Sequence, residues 1–321
     1  MKEFDLIGRY FSDGGHTRKD VVIGIGDDCA VTNVPSNQQL AVTTDTLVAG
    51  VHFLDDAPAK SVAYKTVAVN LSDLAAMGAE PAWISLSLSL PTVNDEWLSE
   101  FVDGLYELTQ YYSVQLIGGD TVKGPMAMTI TAQGFIPPGS ELTRSNAKPG
   151  DWVYVTGTLG DAGAGLDILQ NKLSVAGEAR DVLINRHYYP TPRVAMGTAL
   201  RRIASSCIDV SDGLISDLGH ILKASGCGAN VHVDKLPLSR ALTSAVDNAQ
   251  AIEYALSAGD DYELIFTVGE EQRGNFETSM GSSSVKATCI GQLTGQVGQL
   301  SLLKDNQPFA PTNESGYEHT F

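Results

Sequence analysis

Basic residues and cysteines are both scarce in this sequence, and each shortage excludes a class of function. The 321 residues include 21 Lys and Arg against 38 Asp and Glu, which gives a formal net charge of −17. Nucleic acids and anionic membranes are bound by clustered basic side chains, so neither partner is expected. The four cysteines lie far apart and form no Cys-x-x-Cys pair, which argues against a zinc cluster and a disulfide scaffold.

Long hydrophobic runs are missing as well. No stretch approaches the ~20 apolar residues of a membrane span, and residues 1–5 contain no apolar signal region. With 43% hydrophobic and 18% charged residues, the composition is that of an ordinary globular protein with one large or two medium domains. We therefore expect a cytoplasmic protein.

The common nucleotide-binding and hydrolytic motifs are also absent. The sequence has no Gly-Lys dipeptide, hence no Walker A loop, and no kinase His-Arg-Asp or Asp-Phe-Gly set. It has no Gly-x-Gly-x-x-Gly after a predicted strand, no Gly-x-Ser-x-Gly, and no histidine pair with metalloprotease spacing. The glycine-rich segment 157–165 resembles a phosphate loop, but its spacing fits a tight structural turn equally well.

Short aspartate clusters flanked by Gly, Ser or Thr recur along the chain. Mg²⁺ prefers oxygen ligands and is typically held by a few carboxylates together with substrate phosphates. Because Asp is also common in turns and at helix N-caps, one cluster alone would carry little weight. Together the clusters indicate a Mg²⁺-dependent nucleotide enzyme; they lie at 26–28, 43–46, 70–73, 118–121, 209–213 and 259–261.

Strand and helix patterns alternate in both halves of the chain and predict two α/β or α+β domains. Strands that cover 40–44 and 114–117 are expected to end shortly before Asp45 and Asp120. A helix over 58–77 would place Asn70 and Asp73 on one face, because they are three residues apart. A turn at 148–151 sets the expected boundary between domains of residues 1–147 and 148–321. Further predictions are a serine-alternating strand at 84–90 and helices at 95–112, 193–204 and 214–224.

Taken in order, these clusters resemble the thiamine-monophosphate kinase family, within the wider aminoimidazole-ribonucleotide synthetase-like superfamily. The resemblance covers nearly the whole chain and rests on 24–30, 44–53, 70–78, 118–121, 142–145, 155–161, 209–214 and 259–264. It implies a two-domain fold whose N-terminal domains pair into a dimeric β-barrel. It also implies ATP-dependent phosphorylation of thiamine monophosphate to thiamine diphosphate with several Mg²⁺ ions.

The resemblance further implies roles for individual residues. Those expected to hold Mg²⁺ are Asp28, Thr43, Thr44, Asp45, Asp73, Asp120, Asp209 and Asp212. Those expected to contact ATP are Gly119, Asp120, Arg144 and Ser211. Those expected near the thiamine phosphate are His52, Asp260 and Tyr317. Family members often have Glu at position 260 and Trp at position 317, so these two positions bear on the shape of the pocket.

Phosphoryl transfer between two phosphates depends mainly on positioning and charge neutralisation. Two unit charges ~4 Å apart repel by about 4 kcal/mol at an effective dielectric constant near 20. The acceptor phosphate is already ionised, so we expect direct in-line transfer without an enzyme nucleophile. Two alternatives stay open: a related ATP-using enzyme with another acceptor, and a non-catalytic acidic protein that binds cations or nucleotides.

Overall fold

The computed structural model describes residues 3–12, 14–280 and 284–312 of the chain. They form two compact units, unit 1 from residues 1–74 and 79–141 and unit 2 from residues 75–78 and 142–321. The domain boundary that the sequence places at residue 147 stays a prediction.

Unit 1 is built on one four-stranded sheet with the strand order β3–β6–β4–β5. Strand β6 pairs antiparallel with β3 and with β4, whereas β4 and β5 are parallel and are joined through helix α3. A small hairpin of β1 and β2 stands apart from the sheet. The elements are α1 (Glu3–Tyr10), β1 (Val21–Ile23), β2 (Val31–Thr32), β3 (Gln39–Val48), α2 (Ala59–Ala76), β4 (Glu80–Leu90), α3 (Asp95–Tyr111), β5 (Gln115–Lys123) and β6 (Ala127–Ile136).

The two long helices of this part of the chain have different patterns. Helix α2 is rich in Ala and Val and is buried on almost every side, which suits an element enclosed in the core. It ends before Gly78, whose φ of +72° is a left-handed conformation that favours glycine. Helix α3 is amphipathic and starts at Asn94, whose side chain accepts hydrogen bonds from the N–H groups of Glu96 and Trp97. Both helices confirm the sequence prediction to within two residues.

Unit 2 contains a seven-stranded sheet with the order β13–β12–β9–β11–β7–β10–β8. The central pairs β7–β10, β8–β10 and β7–β11 are antiparallel, and β9–β12 is parallel. The elements are β7 (Trp152–Thr156), α4 (Asp161–Leu169), α5 (Glu178–Tyr188), α6 (Val194–Leu200), β8 (Ala204–Asp209), α7 (Leu214–Ser225), β9 (Gly228–His232), α8 (Arg240–Ala245), α9 (Asn248–Ser257), β10 (Leu264–Val268), α10 (Glu270–Met280), β11 (Ala287–Thr294), β12 (Leu300–Lys304) and β13 (Gln307–Pro308).

Three predictions about element ends are wrong. Asp45 and Asp120 lie inside strands, because β3 keeps its pairing with β6 as far as Val48 and β5 continues beside β4 as far as Lys123. The helix predicted over 193–204 ends at Leu200, and Arg202 has a left-handed φ of +64° that no α-helix accommodates. Residues from Ala204 onward instead pair with β10 as strand β8.

Candidate active site

Two acidic side chains of unit 1, those of Asp45 on β3 and Asp73 on α2, interact with each other. The hydroxyl of Thr43 donates a 2.5 Å hydrogen bond to Asp73 Oδ2. Burial, and next the negative charge and hydrogen bond of Asp73, raise the pKa of Asp45 to about 7. A divalent cation between the two carboxylates would remove this repulsion and let both ionise, so the pair fits a metal.

Asn70 fixes where Asp45 lies relative to helix α2. The Asn70 side chain is fully buried, and its Oδ1 accepts a hydrogen bond from the Asp45 N–H at 3.2 Å. Its Nδ2 donates to the Thr66 carbonyl oxygen one turn earlier on the helix, at 3.0 Å. Asn70 and Asp73 therefore both face strand β3, as their spacing of three residues predicts.

The side chain of Thr44 lies on the opposite face of the sheet. The Thr44 hydroxyl pairs with that of Thr131 at 2.9 Å, and the Thr46 hydroxyl pairs with that of Thr129 at 2.8 Å. Alternate residues of a strand face opposite sides, so Thr44 cannot share a face with Asp45. The structure thus brings Thr43, Asp45 and Asp73 together, and it does not bring the Thr44 side chain to them.

A second group of predicted residues lines a cavity of about 570 Å³ in unit 1. Asp28, Gly119 and Asp120 line this cavity, together with Ile7 of α1 and Phe11 just beyond it. Gly119 is required by close packing, because a Cβ at this position would lie 1.8 Å from the Leu86 carbonyl oxygen. The cavity combines apolar walls with exposed carboxylates, a combination typical of small-molecule sites.

Within one chain these two acidic groups are separate. Asp45 pairs across the sheet with Ile130, Ile130 with Leu86, and Leu86 with Gly119, so β3 and β5 are three strand spacings apart. At ~4.8 Å per spacing the backbones of Asp45 and Asp120 are about 14 Å apart. Mg²⁺ binds oxygen ligands at ~2.1 Å, so one ion cannot contact both carboxylates of the same chain.

His52 is held in a defined tautomer by a tight turn after β3. Its Nδ1 accepts a 3.1 Å hydrogen bond from the Val48 N–H, and the His52 N–H donates to the Val48 carbonyl at 2.9 Å. In the neutral ring the proton is then on Nε2, which is a hydrogen-bond donor. The turn closes through the Gly50 N–H, which donates to the Phe53 carbonyl at 2.8 Å, and Gly50 has a left-handed φ of +75°.

In unit 2, the loop of residues 209–213 is joined to the segment 259–263 by three backbone hydrogen bonds. The Val210 N–H donates to the Glu263 carbonyl at 2.8 Å, and the Asp260 N–H donates to the Ser211 carbonyl at 2.8 Å. The Tyr262 N–H donates to the Val210 carbonyl at 2.9 Å. The structure therefore places Asp209, Ser211 and Asp212 beside Asp260, as one connected backbone arrangement.

Left-handed backbone conformations shape the segment 259–263. Gly259, Asp260 and Tyr262 have φ values of +70°, +60° and +50°. A side chain at Gly259 would place a Cβ 2.3 Å from the Ser211 carbonyl oxygen. The Asp260 carboxylate accepts a 3.1 Å hydrogen bond from the Tyr262 hydroxyl and lies 3.6 Å from His187 Nδ1. Non-glycine residues in this region are strained and are often functional.

Two carboxylates to which the sequence analysis assigned no role, Asp217 and Glu263, anchor these loops. Asp217 Oδ2 accepts hydrogen bonds from the N–H groups of Asp212 at 3.0 Å and Gly213 at 3.1 Å. Burial, and next the charge of Asp212, raise the pKa of Asp217 to about 7, although the backbone N–H donors lower it. Among the described residues, ligand atoms of Asp212, Asp217 and His220 also lie within 4.8 Å of one another.

The other anchor is Glu263, a fully buried carboxylate with cationic partners. It accepts from Arg186 at 2.9 Å, from Arg193 at 2.5 Å, and from the Thr156 hydroxyl at 2.6 Å. Burial raises the pKa of Glu263, but the hydrogen bonds and charges of Arg193 and Arg186 outweigh it, so the net shift is downward. These partners lie 70, 77 and 107 positions from Glu263 in the sequence, so no local motif indicates the contacts.

The glycine-rich segment 157–165 begins with a tight turn and continues into helix α4 at Asp161. The N–H groups of Gly157, Leu159 and Gly160 donate to Lys286 O at 2.9 Å, Pro237 O at 3.0 Å and Asp261 Oδ2 at 2.7 Å. A Cβ at Gly157 would lie 2.0 Å from Glu263 Oε1. These three N–H groups already have protein acceptors, so they are not available to a phosphate.

The two remaining predicted site residues are Arg144 and Tyr317. Arg144 is exposed in unit 2, and its carbonyl oxygen accepts a 2.9 Å hydrogen bond from the Ser225 hydroxyl. Tyr317 lies outside the described residues. Among the residues that the structure covers, none of the helices is long and apolar enough to cross a membrane.

Comparison with known proteins shows which family the chain resembles. The profile of the AIR synthase related protein N-terminal domain matches residues 26–136, and that of the C-terminal domain matches residues 148–301. A thiamine-monophosphate kinase of Escherichia coli strain K12 is 55% identical over 99% of this chain and 98% of its own length.

Two solved structures share the fold. One is the thiamine-monophosphate kinase of Stenotrophomonas maltophilia K279a, with a TM-score of 0.84 and 41% identity over 95% of each chain. The other, "AaThiL complexed with AMPPCP and TMP", has a TM-score of 0.77 and 30% identity over 97% of this chain and 95% of that one. The predicted two-domain α/β fold and the family resemblance are thus confirmed, and the chain belongs to the thiamine-monophosphate kinase family of AIR synthase related proteins.

Proposed function

We propose that this protein transfers the γ-phosphoryl group of ATP to thiamine monophosphate and forms thiamine diphosphate. The observation that carries the proposal is the Asp45–Asp73 pair, whose mutual repulsion a cation would relieve, in a chain 55% identical to a named thiamine-monophosphate kinase. The solved relative bound to AMPPCP, an ATP analogue, and TMP supports the choice of both substrates. The reaction would be the last step of thiamine diphosphate formation.

Mg²⁺ is the proposed metal, and the donor set fits it, because hard cations prefer carboxylate and hydroxyl oxygens. When bound, the ions would neutralise the phosphate charges and so lower the barrier to transfer. Asp45 and Asp73 would hold metal on the α2 side of the sheet, and Asp28 and Asp120 at the cavity. The full proposed set is Asp28, Thr43, Thr44, Asp45, Asp73, Asp120, Asp209 and Asp212; at Thr44 the backbone carbonyl would be the ligand atom, since its hydroxyl pairs with Thr131.

ATP would be bound by Gly119, Asp120, Arg144 and Ser211. Gly119 lines the cavity and has no side chain, so its exposed backbone is accessible to a ligand there. The thiamine phosphate would lie near His52, Asp260 and Tyr317. The tautomer of His52 suits this role, because its Nε2–H can donate to a phosphate oxygen while Nδ1 stays bonded to the Val48 N–H.

Transfer would be direct, from ATP to the phosphate oxygen of the acceptor. That oxygen is already anionic, so the protein needs to orient it and need not deprotonate it. The buried Cys207 is a poor nucleophile, because burial and the charge of Asp209 raise its pKa far above the ordinary value. Carboxylates that bind metal are also weakened as nucleophiles. The proposed chemistry therefore forms no phosphorylated enzyme.

We also propose a cytoplasmic homodimer with functional domains of residues 1–147 and 148–321. Strand β3 is a ten-residue edge strand, and its Leu40 and Val42 are 44% and 58% exposed. A long exposed edge with apolar side chains is a ready surface for pairing with a second chain. Pairing would also let the carboxylates of two copies complement each other, since Asp45 and Asp120 of one chain are too far apart for one ion.

The test is an assay of purified protein with ATP, Mg²⁺ and thiamine monophosphate, in which ADP and thiamine diphosphate are quantified together. We expect one ADP per thiamine diphosphate, no turnover with unphosphorylated thiamine, and a large loss in Asp120→Asn. Asp103→Asn, at an exposed position of α3, is the matched control and should keep normal turnover. ADP formation with another phosphate acceptor and not with thiamine monophosphate would refute the proposed substrate. Nucleotide binding without any turnover would refute the proposal that the protein is an enzyme.

A further inference from the structure

The loop of residues 209–213 is folded around one buried carboxylate, that of Asp217. Asp217 is 2% exposed and is the fourth residue of helix α7. Its backbone N–H donates to the Gly213 carbonyl at 3.0 Å. Its Oδ2 turns back and accepts from the N–H groups of Asp212 at 3.0 Å and Gly213 at 3.1 Å. The carboxylate thereby ties the loop to the start of the helix.

The N-terminus of a helix normally offers its unpaired N–H groups to an anion such as a phosphate. At α7 the chain supplies its own anion, so the N–H groups of Asp212 and Gly213 are already bonded to Asp217. These two N–H groups are therefore not available to bind a nucleotide phosphate. The contribution proposed for the loop is through its side chains.

On its other side the loop is joined to a neighbouring segment by backbone hydrogen bonds. Residues Val210 and Ser211 are bonded to the segment 259–263, as described above, whereas Asp212 and Gly213 receive their hydrogen bonds from Asp217. Gly213 has a φ of +114°, which only glycine adopts readily, and a Cβ there would lie 3.0 Å from Ser257. One side chain, that of Asp217, thus bonds to the backbone of two consecutive residues at the point where the chain enters α7.

We propose that Asp217 is a positioning residue that fixes the backbone of Asp212 and Gly213, so that Asp209 and Asp212 can act as Mg²⁺ ligands. This rests on the proposed function, in which those two aspartates bind metal. Direct ligation by Asp217 is the competing role, because its oxygens lie within 4.8 Å of ligand atoms of Asp212 and His220. Its Oδ2, however, already accepts two N–H groups, which assigns it to the support of the loop.

The experiment compares Asp217→Ala with Asp217→Asn. The first removes the acceptor, whereas the second keeps an oxygen that can accept both N–H groups but loses the charge. Titration with Mn²⁺, followed by electron paramagnetic resonance, gives the affinity for the metal alone. Hydrogen exchange of the peptide that covers residues 206–216 gives the protection of the loop amides. Neither readout needs substrate or turnover.

We expect Asp217→Ala to weaken Mn²⁺ binding by about tenfold or more, as is typical when a group that orients a metal ligand is removed. Exchange at residues 212 and 213 should accelerate in the same variant. Asp217→Asn should restore most of both properties. The matched control is Asp151→Ala, which removes another buried carboxylate of unit 2 that accepts a backbone N–H, that of Lys148 at 3.0 Å, and should leave Mn²⁺ affinity unchanged.

Three results would overturn the proposal. Asp217→Ala with normal Mn²⁺ affinity and normal exchange would show that the loop does not depend on this residue. Asp217→Asn that binds Mn²⁺ as poorly as Asp217→Ala, with normal exchange, would identify a direct ligand. An equal loss of Mn²⁺ affinity in Asp151→Ala would indicate general destabilisation. If Asp217→Ala does not fold, Asp217→Val, which also removes the acceptor but leaves less empty space than Ala, gives the same comparison. A wild-type protein that binds Mn²⁺ but does not phosphorylate thiamine monophosphate would refute only the proposed function.

Discussion

Replacing Asp73 by Asn should make the metal-free protein more stable and the enzyme much less active. The change removes one of two negative charges that approach each other beside β3, and it keeps an oxygen that can accept the hydrogen bond from Thr43. The electrostatic cost of the pair is visible in Asp45, whose pKa is raised to about 7 by burial and next by Asp73. The same pair is what the proposed Mg²⁺ would neutralise.

The magnitude follows from the pKa of Asp45. A rise from 3.8 to about 7 is about three units, or roughly 4 kcal/mol at 1.36 kcal/mol per unit. The folded state binds the Asp45 proton more tightly than the unfolded state, so the contribution of Asp45 to the unfolding free energy falls as pH rises from about 4 to about 7. Burial accounts for the largest part and solvent screens the remainder, so we expect Asp73→Asn to recover about 1–2 kcal/mol above pH 7.

Urea denaturation with EDTA, at about pH 5 and about pH 8.5, measures this difference directly. The wild-type protein should lose stability between the two pH values and regain it with Mg²⁺, whereas Asp73→Asn should show a smaller pH dependence and a weak response to Mg²⁺. Turnover of the variant should fall at least tenfold, the order seen when groups that order a metal site are lost. Asp103→Asn should match the wild type in both measurements. A variant that is no more stable than the wild type in EDTA at the higher pH, and still responds fully to Mg²⁺, would refute the reasoning.

Three further outcomes are expected. EDTA should abolish turnover and Mg²⁺ should restore it, because the carboxylates and phosphates would otherwise repel; full activity in chelator contradicts the metal proposal. With ATP chiral at the γ-phosphorus, the product should show inversion, whereas retention would indicate a phosphorylated enzyme. Glu263→Gln should lower the unfolding free energy by about 3–5 kcal/mol, because the partly buried Arg193 and Arg186 lose the fully buried carboxylate that balances their charge; a loss below about 1 kcal/mol in urea denaturation would contradict this.

Periodic segments with clear ends were predictable from the sequence. The alternation of serine with Ile and Leu over 84–90 correctly predicted the C-terminal part of β4, and the apolar spacing of 95–112 correctly predicted α3. The spacing of Asn70 and Asp73 correctly placed both on one helix face. In these cases the local pattern alone determines which side is buried.

The endings of strands and the pairing of distant charges were not predictable. Asp45 and Asp120 read as residues beyond strand ends, because Asp is disfavoured in strands, but pairing with neighbouring strands carries β3 and β5 past them. Asp217 reads as an ordinary helical residue, since its two bonds depend on a loop that turns back on the helix. The contacts of Glu263 arise only after three distant segments meet in the folded sheet.

The contacts of Glu263 join segments of unit 2 that are distant in the sequence. Glu263 bonds to Arg193, Arg186 and Thr156, which are 70, 77 and 107 positions away in the sequence. Contacts of such long range form after local elements, because closing the intervening chain costs entropy first. Until β7 and β10 have paired, the carboxylate must stay hydrated outside the core. Burial of the carboxylate then requires that α5, which carries Arg186, and Arg193 at the start of α6 pack against the completed sheet. Because these contacts form late, removal of Glu263 should accelerate unfolding far more than it slows folding.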